Sequence, residues 1–122
     1  MPAFISHSFR DEAIYSAICL AFNGAHVDYW DPKTMSLGDS LAEQLRKAIR
    51  DCEVCVFVAT RSAIESPWCL AEVGGFWGSG KIVLIFLADP DLTDLNLPSQ
   101  FKGNLMVKDA YQLIRAVNIT LG

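Results

Sequence analysis

An α/β fold, with a parallel sheet covered by helices on both faces, is predicted by two features of this chain. Short apolar runs alternate with segments whose apolar residues recur at helical spacing. Two of the runs, Val54 to Ala59 and Lys81 to Leu87, are apolar almost throughout, the pattern of strands buried on both faces. Successive strand–helix–strand units of this kind close into a parallel sheet through right-handed crossovers. The bulk composition agrees. A chain of 122 residues fits one domain and can bury a sizeable core. With 52% hydrophobic and 20% charged residues it is globular, not disordered.

Each element has its own local warrant. Ala3-Phe4-Ile5-Ser6 reads as a short first strand. Ser8 and Asp11 then form a capping-box pattern, and Ile14, Ile18 and Phe22 repeat every four residues along one helix face. Asn23-Gly24 supplies the stop. Ala25 to Trp30 returns to strand, and Asp31 to Gly38, bracketed by Pro32 and Gly38, is a loop. Ser40 with Glu43 offers a second capping box, before a stripe of Leu41, Leu45, Ala48 and Ile49. After the strand at Val54 to Ala59, Ser66 caps a third helix with Pro67 at its first position, and Gly78-Ser79-Gly80 ends it. Residues 88–103 are irregular, Leu105 to Val107 is a short last strand, and Ala110, Leu113, Ile114 and Val117 form the face of a final helix.

Several function classes are excluded or disfavoured. The formal charge is −4 with no basic stripe, so no nucleic-acid surface is expected. The longest apolar candidate, Ile82 to Ala88, is far short of the about 20 residues a membrane helix needs. No signal peptide precedes the first strand. Cys52 and Cys55 make a single C-x-x-C that enters a strand, with no second pair and no His pair at ligand spacing, so Cys19, Cys52, Cys55 and Cys69 are expected as free thiols in a reducing cytoplasm, with no metal. There is no G-x-G-x-x-G after the first strand, no G-x-x-x-x-G-K-[ST] and no G-x-S-x-G. The strand at Val54 ends in Ala59-Thr60, where a phospho-accepting receiver domain would carry an Asp.

The third helix carries the one anomaly. Along Ser66-Pro67-Trp68-Cys69-Leu70-Ala71-Glu72-Val73-Gly74-Gly75-Phe76-Trp77 a single carboxylate, Glu72, interrupts an apolar segment. Trp68, at i−4, projects from the same face. In open parallel sheets ligands bind at the carboxyl ends of the strands. Ser6–Arg10, Trp30–Gly38 and Thr60–Trp68 all follow strands there.

Three stretches in order resemble the Toll/interleukin-1 receptor (TIR) domain family over nearly the whole chain. Phe4-Ile5-Ser6-His7-Ser8 is similar to its first box. Asp31 to Gly38, leading into Asp39-Ser40-Leu41, is similar to its second loop, and Ser66-Pro67-Trp68-Cys69-Leu70-Ala71-Glu72 to the S-x-W-C-x-x-E helix of plant and bacterial members. The resemblance implies a flavodoxin-like three-layer sandwich with a five-stranded parallel sheet. It also implies one of two functions: a scaffold that only assembles, or an enzyme that cleaves NAD+ at the nicotinamide–ribose bond. The intact Trp68/Glu72 pair favours the enzyme. By resemblance Glu72 is the catalytic carboxylate, Trp68 lines the nicotinamide side, and His7, Ser8, Asp31, Lys33 and Trp30 are substrate contacts, with NAD+ as substrate rather than cofactor. Other TIR domains are the implied partners, through self-association. The tight ends suggest a domain excised from a longer chain, and the box spellings are similar to bacterial members of anti-phage or virulence signalling.

Plainer roles stand beside these. From composition alone Glu72 would be a solvent-facing helix residue. Ser8 and Ser66 also serve as caps, His7 as a structural hydrogen-bonding residue, Lys33 as a solvated charge, and Trp68 and Trp30 as packing.

Overall fold

A computed structural model of the chain describes residues 2–30, 40–92, 97–101 and 104–122. Its parallel sheet comprises β1 (Ala3–Ser6), β2 (Val54–Ala59), β3 (Ile82–Leu87) and β4 (Leu105–Val107), hydrogen-bonded in that spatial order. The helices are α1 (Glu12–Gly24), α2 (Leu41–Asp51), the single-turn α3 (Arg61–Ile64), α4 (Pro67–Gly78) and α5 (Ala110–Leu121).

The sheet has four strands among the described residues, where five were expected. The segment from Ala25 to Trp30 lies beside β1, but it forms only one parallel bridge, Ala3 with Tyr29. Two backbone bonds fasten it: Ala3 N–H to the Asp28 carbonyl at 3.0 Å, and Trp30 N–H to the Ala3 carbonyl at 2.8 Å. The expected second strand thus occupies its place as an edge contact. The turn leading into it also differs from expectation. α1 runs through Gly24, and the left-handed residue is His26, with φ of 57°, a conformation unusual for a side chain with a Cβ. Between β2 and the Ser66 cap, where no helix was predicted, lies α3, because the Thr60 hydroxyl accepts the Ala63 N–H at 3.1 Å and caps one turn.

Strand residues alternate between two cores, as the period of two requires. Phe4, Cys55, Phe57, Val83 and Ile85 face one layer, which α2, α3 and α4 supply through residues such as Ala48, Ala63 and Phe76. Ala3, Ile5, Val56, Val58 and Leu84 face the other, covered by Ile18 and Phe22 of α1 and Leu113 and Val117 of α5. All six residues of β2 are buried, which explains its uninterrupted apolar run. Two predicted caps form: Ser40 accepts the Glu43 N–H at 3.1 Å, and Ser66 accepts the Cys69 N–H at 3.2 Å. The Ser8–Asp11 box at the start of α1 does not, since a separate turn, Phe9–Asp11, intervenes and takes Ser8 as its cap. Gly75 allows α4 to approach α2, since a Cβ there would stand 2.7 Å from Ile49 Cδ1.

Candidate active site

Where β1 ends, its parity decides what it meets. Phe4 and Ser6 point to the same face, about 6.6 Å apart along the strand. Phe76 and Glu72 lie one helical turn apart on α4, about 6 Å. The two repeats match and form two rungs. Phe4 stacks on Phe76 with centroids 5.3 Å apart. One step on, the Ser6 hydroxyl donates to Glu72 Oε1 at 2.8 Å.

Glu72 is buried, only 7% exposed. Burial pushes its carboxyl up from the ordinary 4.5 to about 7, against the opposing pull of hydrogen bonds from Ser6 and Trp68. Trp68, whose one side-chain donor is the indole N–H, is the second group that favours the ionised form. Trp68 and Glu72 share one helix face, as the i−4 spacing predicts, and both line one cleft.

The cleft holds about 190 Å³ and is lined mainly by apolar and aromatic groups. Phe4, Ile5, His7 and Phe9 come from β1 and the turn after it, and Tyr15 from α1. Trp30 closes it on another side, with Leu41, Gln44 and Leu45 from α2. It opens at the carboxyl end of β1, where parallel sheets place ligands.

The remaining predicted site residues divide. His7 lines the cleft, with its ring stacked on Tyr15 (centroids 3.9 Å apart, planes at 10°) and Nε2 lying 3.4 Å from Glu12 Oε1. Trp30 lines the cleft and packs against the α4-side core. Ser8 is not part of the lining: its hydroxyl accepts the Arg10 N–H at 3.2 Å and caps the single turn Phe9–Asp11, the plainer of its two expected roles. Asp31 and Lys33 lie outside the described residues. Ser6, Tyr15, Gln44 and Leu45 were not foreseen as site residues. Ser6 could have been found from its parity, as the polar residue that shares a strand face with Phe4 and so must face the same helix. A further bond, Thr60 Oγ1 to Asp11 Oδ2 at 2.5 Å, ties the segment after β2 to the turn after β1.

The thiols are free and Cys52, Cys55 and Cys69 are buried, Cys55 in the middle of β2. Burial raises all three, Cys52 to about 12. Among the described residues no helix is long and apolar enough to cross a membrane.

An open parallel α/β domain with one buried carboxylate in an apolar cleft at its strand ends is the class this geometry defines. The TIR-domain family model matches residues 3–114, and the chain belongs to that family. Its fold is shared by the TIR domain of the Toll-related receptor TRR-2 from Hydra magnipapillata, with a TM-score of 0.76 over 95% of this chain and 97% of that one, at 15% identity. It is also shared by the CMP N-glycosidase BcmB of Clostridium botulinum, with a TM-score of 0.65 over 98% of each chain, at 16% identity. At such identities the likeness concerns the fold alone. In sequence, 70 residues are 34% identical to a Brachypodium distachyon protein named "Probable 2' cyclic ADP-D-ribose synthase BdTIR", covering 57% of this chain. The chain spans about a third of that relative's length, 31%.

Proposed function

We propose that this domain cleaves NAD+ at the nicotinamide–ribose bond, releasing nicotinamide and ADP-ribose or a cyclic isomer, with Glu72 as the catalytic carboxylate. The observation that carries the reading is the Glu72 carboxylate itself, buried in the wall of an aromatic cleft beside Trp68 and bonded there by Ser6. Similarity to a plant protein named as a cyclic ADP-ribose synthase supports it.

One carboxylate is enough for this reaction. Cleaving a glycosidic bond to oxygen usually takes two, because the leaving oxygen must be protonated. Nicotinamide leaves NAD+ as a neutral molecule: the pair of the breaking C–N bond goes to the cationic pyridinium nitrogen. The remaining demand is to stabilise positive charge on the ribose, and a preorganised anion beside it does so. The apolar walls strengthen that attraction. The substrate's own positive charge, brought against Glu72, draws the carboxyl toward its ionised form. The Trp68 ring offers a face to the departing nicotinamide. Water then adds to the sugar cation and loses a proton, giving ADP-ribose. Attack by the substrate's own adenine-ribose portion gives a cyclic product instead. Self-association of TIR domains is the proposed route to activation.

Incubation with NAD+, dilute and concentrated, followed by mass spectrometry of products tests this reading. Nicotinamide release that grows with protein concentration is expected. An unconsumed substrate at high concentration would leave the assembly-only function of the family. A parallel incubation with CMP, the substrate named for the Clostridium protein, separates NAD+ cleavage from nucleotide N-glycosidase activity. For the product, Trp68→Ala should change the cyclic-to-linear ratio; an unchanged ratio removes Trp68 from that choice.

A further inference from the structure

Ser6 is fully buried, and its hydroxyl has one proton to give. The proton goes to Glu72 Oε1. The Cys69 thiol, three residues before Glu72 on α4, is kept protonated by burial and brings no charge to this pair.

We propose that Ser6 is a positioning residue that fixes the Glu72 carboxylate against the cleft wall and leaves its remaining lone pairs to the ligand. The proposal rests on the reading of Glu72 as the catalytic carboxylate. Its geometric basis is the pairing of β1 with α4: the Phe4–Phe76 stack sets the height at which strand and helix meet, and Ser6 and Glu72 form the next rung. Trp68, at i−4 from Glu72, lies on the same side of the helix and lines the same cleft.

Few other titratable groups surround Glu72 among the described residues. They are the protonated thiols of Cys69 on its own helix and Cys55 on β2, and the imidazole of His7 in the same cleft. From α2 the cleft receives Gln44 and Leu45, neither of which titrates. Among the described residues no lysine or arginine lines the cleft, so loss of Ser6 falls on Glu72 directly.

The test reads Glu72 without relying on turnover. Protein carrying 13C-labelled glutamate is titrated by NMR, as wild type, Ser6→Ala and Ser6→Thr, and the same proteins are assayed with NAD+ across pH. A hydrogen bond to an ionised group contributes about 1.5–3 kcal/mol, so Ser6→Ala should raise the Glu72 midpoint by roughly one pH unit or more. Its kcat/KM at pH 7 should fall about fivefold and recover toward alkaline pH. Ser6→Thr, which keeps the hydroxyl, should restore most of the midpoint and of kcat/KM. A midpoint unmoved in Ser6→Ala overturns the positioning role, whether or not the domain cleaves NAD+. So does a loss of kcat/KM that persists unchanged at alkaline pH. A midpoint that moves in a protein whose wild type leaves NAD+ intact overturns the catalytic reading instead. If Ser6→Ala does not fold, Ser6→Cys, whose thiol is a weaker donor, decides by the same titration: a raised midpoint supports the role, an unmoved one overturns it.

Discussion

Glu72 is held in a place that costs the fold stability. Its carboxyl titrates near 7 in the folded chain and near 4.5 when exposed. The folded state therefore keeps a proton that the unfolded state gives up, and stability falls as pH rises between those two values, then levels off. At about 1.4 kcal/mol per pH unit, the ionised carboxylate costs roughly 3 kcal/mol at pH 8. Glu72→Gln removes that cost. We expect the variant to melt at higher temperature than wild type at pH 8 and at much the same temperature near pH 4.5, as thermal unfolding followed by circular dichroism will show. Gain of stability with loss of activity is the pattern of a site selected for chemistry over packing. A second expectation concerns the pH–rate profile. In the proposed reaction the ionised form is the active one, so kcat/KM should rise with pH and level off above about 7. The kcat profile should break at lower pH, because the bound substrate's positive charge favours the ionised carboxylate.

At the scale of elements, α4 carries the site and its ends are defined by ordinary chemistry. Ser66 caps it, and the cap should contribute about 1 kcal/mol. Ser66→Ala should lower the midpoint of chemical denaturation by that amount, with nicotinamide release per folded molecule little changed. Phe76→Ala removes a ring that is fully buried and stacked on Phe4, and we expect a loss of about 3–5 kcal/mol. These elements were legible in the chain because caps, apolar period and turn residues agree there. The segment after α1 was not legible to the same degree. Its apolar residues predicted a strand, yet it makes a single bridge at the sheet edge, where pairing depends on what lies beside it and not on propensity alone. The one-turn α3 was missed because it is too short for any period to register.

For the molecule as a whole, the arrangement that brings Ser6 to Glu72 comes from topology. The two residues stand 66 positions apart, and only a parallel sheet with α4 on the face of Phe4 joins them. Glu72 and Trp68 could be picked out from one helix face; Ser6 and Tyr15 required knowing which strand face that helix covers. The same layering buries three of the four thiols and leaves Cys19 partly exposed. Titration of the native protein with a thiol-reactive disulfide reagent should therefore modify Cys19 quickly and the other three only on unfolding. The cleft, the carboxylate and the Ser6 hydroxyl that bonds it meet at one end of the sheet, and the central claim is that this meeting place is catalytic. Nicotinamide release from NAD+ at pH 8, compared between wild type and Glu72→Gln at equal folded concentration, tests it most directly. Turnover by wild type with none above background from the more stable Gln variant is the expected result, and equal turnover by the two would contradict the claim.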